Sequence, residues 1–96
     1  MAAMDLLGRR WALRILWELR DGPLGARPLL ARCDEMSSSV LYQRLRELTE
    51  AGLVARDDAS SGNGGYGLTA FGRSLGEALA PLDAWAKRWA RGRDLG

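Results

Sequence analysis

The chain has 96 residues, 14 Lys and Arg against 12 Asp and Glu, one cysteine and no histidine, and 47% of its positions are hydrophobic. That length allows one domain with a modest core, for which pairing with a second copy is a natural supplement. Without histidine the chain lacks the commonest general base and metal ligand, and a lone Cys33 can form neither an internal disulfide nor a cysteine metal site. No enzyme activity, cofactor or metal is therefore expected. The hydrophobic content argues against disorder, and no apolar run approaches the ~20 residues that span a bilayer. Met1 to Leu7 carries Asp5 and leads into an arginine-rich amphipathic segment, so a leaderless cytoplasmic protein is expected.

Charge is uneven along the chain. Residues 8–20 hold Arg9, Arg10, Arg14 and Arg20 against Glu18, and residues 85–96 hold Lys87, Arg88, Arg91 and Arg93 against Asp94. Basic ends are compatible with phosphate contacts but equally with solvated helix faces. The adjacent acids Asp34-Glu35 and Asp57-Asp58 stand in polar, turn-like contexts and read as solvated loop charges.

The first predicted helix runs from about Met4 to Arg20, with Leu7, Trp11, Ile15 and Leu19 on one line and Ala12, Leu16 and Trp17 beside it. Its apolar face is broader than one packing surface requires. Gly22-Pro23 ends it, and Leu24-Gly25 has room only for a short extended piece. Pro28 suits the first turn of a second helix, with Leu29, Cys33 and Leu30 inward and an end near Asp34-Glu35.

The serines at 37 to 39 then offer an N-cap for a helix over 37–50, stopped by Gly52. Leu41, Leu45 and Leu48 form its inward stripe, which leaves Ser38, Ser39, Tyr42, Gln43 and Arg46 on the outer face. Those side chains can bond to phosphates and base edges, where a generic solvated helix more often shows Glu and Lys. Arg44 lies nearer the inward stripe and either braces the fold or reaches a flanking phosphate. Two helices joined by so few residues make a helix-turn-helix.

Leu53 to Arg56 reads as a strand and Tyr66 to Leu68 as its partner, joined by a polar, glycine-rich loop. Thr69 can cap the last helix, whose stripe of Leu75, Leu79, Leu82, Ala86 and Trp89 has coiled-coil-like steps; Pro81 interrupts it. The fold class is thus mostly α with a small β-hairpin, a winged helix-turn-helix in a single domain over 1–96. Its parts are terminal helices at about 4–20 and 70–92 that form a homodimer interface, a helix-turn-helix at about 28–51 and a wing at about 53–68. Trp11, Trp17, Trp85 and Trp89 belong to that interface or line a pocket for a small aromatic effector.

In order and spacing these segments resemble the HxlR-type winged-helix transcriptional regulators. The likeness rests on Leu7-Gly8-Arg9-Arg10-Trp11, Asp21-Gly22-Pro23, the run from Val40 to Leu48, Ala51 to Arg56, Leu68 to Gly72, and Leu82-Asp83-Ala84-Trp85. The resemblance implies a homodimer on double-stranded DNA, with the third helix in the major groove, the hairpin near phosphates and the terminal helices at the interface. The chain departs from the family pattern in three places. Ser39 stands where a Lys or Arg is usual, the wing is shorter, with Asp57 and Asp58 and no basic residue before the returning strand, and the reactive cysteine that redox-sensing relatives often place near the N-terminus is missing. Cys33 takes a position that is generally leucine and reads as core packing rather than a redox switch. The expected function is sequence-specific regulation of transcription, as a repressor reading an inverted repeat with the helix 37–50, with Ser38, Ser39, Tyr42, Gln43, Arg44 and Arg46 at the DNA. The alternative is a winged-helix module that binds a small molecule or a protein and has weak or no DNA binding.

Overall fold

The computed structural model describes residues 3–57 and 65–95. In chain order they form α1 (Ala3–Leu7), α2 (Ala12–Glu18), α3 (Ala26–Arg32), α4 (Ser38–Glu50), β1 (Val54–Asp57), β2 (Gly65–Leu68) and α5 (Ala70–Leu95). The two strands pair antiparallel, with Val54 opposite Leu68 and Asp57 opposite Gly65. Leu24 adds a third, single-residue rung: its N–H donates to Tyr66 O at 2.9 Å, and Tyr66 N–H donates to Leu24 O at 2.7 Å. The extended piece foreseen at Leu24-Gly25 is thereby the edge of the wing sheet. The expected glycine-rich wing tip falls on residues 58–64, which lie outside the described residues.

The predicted helix over 4–20 is two helices. Gly8 to Trp11 form an elbow between α1 and α2, and Trp11 takes the left-handed conformation at φ 78°. Spacing does not reveal the break, because Leu7, Trp11, Ile15 and Leu19 keep an unbroken four-residue step. Packing accounts for it. On a continuous helix Leu6 would point ~120° away from Ala12 at 100° per residue, whereas the elbow lets Leu6 enter the same core as Ile15, Leu16 and Leu19. In α3, which starts two residues earlier than foreseen, Pro28 sits in the first turn, and Leu29 and Cys33 are buried as expected.

Both ends of α4 are fastened. Ser37 Oγ accepts the N–H of Val40 at 3.2 Å, so the expected serine cap is present. At the other end Gly52 has φ 81°, Leu53 N–H donates to Leu48 O at 3.0 Å, and Gly52 N–H donates to Thr49 O at 3.0 Å. That pair of bonds is a Schellman stop, and its left-handed residue is best served by glycine. Between these ends Leu41, Leu45 and Leu48 are buried in one cluster with Ile15, Leu29 and Val54.

The return from the hairpin into α5 is built around Thr69. Its hydroxyl donates to Gly52 O at 2.6 Å and accepts Gly72 N–H at 3.0 Å, while its own N–H donates to Leu53 O at 3.0 Å. One residue thus caps α5 and ties it to the end of α4. Gly72 passes so close to this junction that a Cβ there would fall inside the shell of the Leu53 carbonyl oxygen. From Ala70 α5 runs unbroken through Pro81 to Leu95, and the molecule is drawn out to 49 Å along an axis against 26 and 23 Å across.

Two expected outcomes follow from this packing. Gly72→Ala lowers stability by about 1–3 kcal/mol, because the added methyl meets backbone. Gly76→Ala, where a Cβ meets nothing within 4 Å, raises it by about 0.5–1 kcal/mol through helix propensity; urea denaturation of the two variants checks both signs. Burial pushes the Cys33 thiol up from its ordinary range, with Arg14 only partly opposing it, so the thiol stays protonated near neutral pH. Alkylation of Cys33 by iodoacetamide is therefore expected to be slow in the folded protein and to reach the rate of a free thiol once urea unfolds it.

Candidate nucleic-acid interface

Burial of the leucine stripe fixes which side of α4 looks outward. Ser38, Ser39, Tyr42, Gln43 and Arg46 are all exposed, and at 100° per residue Ser39, Gln43 and Arg46 lie close to opposite Leu41. Tyr42 keeps 49% of its surface accessible beside them, and Ser38 sits at the shoulder of the face. Ser39 is partly engaged, since its Oγ lies 3.2 Å from Ser37 Oγ within the cap. Gln43 and Arg46 form no side-chain hydrogen bond or ion pair among the described residues, leaving their donors and acceptors available. Glu50 is the acid of this face, at its C-terminal end. The N-terminal turns, the part of a recognition helix that reaches base edges, carry none.

Arg44 belongs to a different side of the helix. Its Nε donates to the Arg10 carbonyl at 2.9 Å, and a terminal nitrogen donates to Glu47 Oε1 at 2.6 Å, with both side chains mostly buried. Of the two roles open to it from sequence, these bonds are those of a brace. Glu47 is in turn approached by Arg9 Nε at 3.4 Å. This cluster of Arg9, Arg44 and Glu47 was not foreseen as a unit, because its members lie 35 or more positions apart along the chain, apart from the i,i+3 pair. The only sequence signal was the placement of Arg44 beside the inward stripe. Arg9, Arg10 and Arg44 together with Asp5 and Gly8 line an open cleft of about 550 Å³ at the elbow.

The wing contributes Arg56, whose guanidinium lies over the Tyr66 ring at 5.7 Å from its centroid. On α3, Arg27 is exposed. Arg14 is tied down: it bonds the Arg32 carbonyl at 2.9 Å and pairs with Glu18 at 2.8 Å, joining α2 to the end of α3.

The four tryptophans do not form one cage within the chain. Trp85 and Trp89 stack, with centroids 5.9 Å apart and planes 10° from parallel, and this is the ring-to-ring contact among the described residues. Trp11 is half-buried at the elbow, with Arg10 at 5.4 Å over its ring. Trp17 is exposed and covered by Arg20 at 3.9 Å. What these positions share is apolar surface left open. Leu13 and Trp17 form a second apolar side of α2, opposite in function to the buried Ala12, Ile15, Leu16 and Leu19, while Leu82, Trp85 and Trp89 on α5 are each about half exposed and Phe71 is 76% exposed. Among the described residues no group of His, Cys, Asp and Glu could hold a metal ion, and no helix is long and apolar enough to cross a membrane.

The arrangement matches known proteins along almost its whole length. The model of the HxlR-like helix-turn-helix family matches residues 6–94. The HTH-type transcriptional regulator YvaP of Bacillus subtilis is 33% identical over 89 residues, which cover 91% of this chain and 82% of that protein. Among solved structures, a possible HxlR family transcriptional factor from Thermoplasma volcanium superposes with a TM-score of 0.85 at 26% identity, covering 95% of this chain and 84% of the other. Quinone-bound YodB from Bacillus subtilis superposes with a TM-score of 0.79 at 31% identity, covering 90% and 91%. With a hairpin following a capped recognition helix and these relatives, the chain is a winged helix-turn-helix transcriptional regulator that belongs to the HxlR-like family.

Proposed function

We propose that this regulator acts as a cytoplasmic homodimer that reads an inverted-repeat operator with the outer face of α4 and represses by occupying it. The observation that carries the reading is the composition of that face: Ser38, Ser39, Tyr42, Gln43 and Arg46 are exposed together while the opposite leucines are buried. Gln43 has the amide geometry to bond an adenine edge bidentately, and Arg46 suits a backbone phosphate or a guanine. Ser38, Ser39 and Tyr42 divide between bases and phosphates. Repression by occlusion is the mechanism a DNA-binding domain performs unaided.

The homodimer is supported by the unspent apolar surface of the terminal helices. α2 and α5 touch within the chain, so the Leu13 and Trp17 side of α2 and the Leu82, Trp85 and Trp89 side of α5 belong to neighbouring elements. A second copy related by a two-fold axis would cover both at once. Trp17, Trp85 and Trp89 are assigned to that interface, on their exposure, rather than to an effector cage.

Binding to the DNA upstream of the gene is expected to weaken steeply as salt rises. Arg46→Ala should lower the slope of log affinity against log salt by about 0.9, whereas Gln43→Ala should leave the slope intact and cost about 1–3 kcal/mol of discrimination at its base pair. Affinity unmoved by both changes, measured by fluorescence anisotropy, would remove α4 from the interface. Quenching of tryptophan by an aromatic compound with no DNA binding at any salt would favour the ligand-binding alternative. Trp85→Glu is expected to shift sedimentation from dimer to monomer and to weaken operator binding with it.

A further inference from the structure

We infer that Arg44 is a positioning residue rather than a DNA contact: it tethers the recognition helix to the elbow between α1 and α2, holding α4 and the left-handed Trp11 in one mutual arrangement. The inference rests on the DNA-reading role proposed for α4. Its basis is a chain of three contacts. Arg44 Nε donates to the Arg10 carbonyl at 2.9 Å, across 34 positions of sequence. A terminal nitrogen of the same guanidinium donates to Glu47 Oε1 at 2.6 Å, with 13% and 15% of the two side chains exposed. Arg9 reaches the second Glu47 oxygen at 3.4 Å, and that oxygen is buried without a hydrogen bond.

The Arg10 carbonyl belongs to the peptide that precedes Trp11, and the orientation of that peptide is governed by φ of Trp11. At φ 78° Trp11 occupies a region that a bulky L residue seldom enters. Were Trp11 to relax to negative φ, the Arg10 carbonyl would swing away from Arg44. The strained turn and the tether therefore stand or fall together. Because Arg44 and Glu47 project from the flank of the helix whose outer face carries Gln43 and Arg46, a change at the elbow alters the pose of the reading residues. The elbow also leads directly into Leu13 and Trp17 on the open apolar side of α2, so the tether joins the reading helix to the surface assigned to the partner copy.

A planar guanidinium is needed because Nε and a terminal nitrogen point at two acceptors held in fixed relative position; a lysine keeps the charge but not the fork. The test compares Arg44→Lys, Arg44→Gln and Arg46→Gln in the full chain, first confirming that each unfolds cooperatively on heating. With operator DNA over a salt series, a positioning role predicts that Arg44→Lys and Arg44→Gln each lose about tenfold in affinity at every salt concentration with the wild-type slope, while Arg46→Gln flattens the slope by about 0.9. A DNA-contact role predicts instead that Arg44→Lys keeps its affinity and Arg44→Gln flattens the slope; either result overturns the inference, as does unchanged affinity in both. A second arm uses protein labelled with 5-fluorotryptophan, without DNA, the Trp11 fluorine signal being identified by its loss in Trp11→Phe. Arg44→Lys should displace that signal and leave the Trp89 signal in place; an unmoved Trp11 signal refutes the tether. If the wild-type chain binds no DNA at all, the functional reading and the positioning role both fall, and the fluorine arm shows separately whether the tether exists.

Discussion

Burial of Leu41, Leu45 and Leu48 is the constraint on which the rest of the molecule depends. A fully buried leucine contributes about 1.5–3 kcal/mol relative to an exposed one, so rotating α4 to hide any other face would expose three of the largest fully buried side chains of the core. The rotational phase of the helix is thereby set, and with it the identity of the outward residues. The serine cap and the Gly52 stop set the limits of the same helix, and the chain leaves it along a path with little freedom. Leu53 accepts from Thr69, Thr69 bonds the last turn and caps α5, and Gly72 slips past the Leu53 carbonyl. From the recognition helix through the wing to the terminal helix, each element is indexed to the one before by a backbone bond or a close approach.

The terminal elements obey a different logic. A domain of this size buries one apolar stripe of α2 and only partly covers Leu75 of α5. Leu13, Trp17, Leu82, Trp85 and Trp89 stay exposed at the surface among the described residues. Exposed large apolar side chains gathered on one helix, as Leu82, Trp85 and Trp89 are on α5, mark an interaction site. Stacking of Trp85 on Trp89, and of Arg20 and Arg93 over neighbouring indoles, shields part of that surface in the single chain. Such contacts satisfy ring faces without removing the side chains from solvent.

The tether at the elbow links these two regimes. Charged groups are rarely placed near a core unless partnered, and removing one member of a buried pair leaves the other uncompensated. Arg44 and Glu47 are accordingly matched to each other, and Nε of Arg44 is spent on a backbone carbonyl of a distant segment. The helix is thereby held at its flank by the turn that leads to the outer side of α2.

Much of this was legible in the residues. Leucines at 41, 45 and 48, serines before them and glycine after them determined a capped amphipathic helix and its outward face, because those signals act over a single turn or a few turns of chain. Thr69 before α5 and the strands flanking the wing were determined in the same local way. The split of the first helix was not, because Leu7, Trp11, Ile15 and Leu19 keep a perfect helical step across the elbow; only the need to bring Leu6 and Ile15 into one core decided it. The rung between Leu24 and Tyr66, the close approach of Gly72 to Leu53, and the bond of Arg44 to the Arg10 carbonyl were also decided by tertiary structure. Each joins residues well separated in sequence, and periodicity carries no information about which distant backbone group will meet a given side chain.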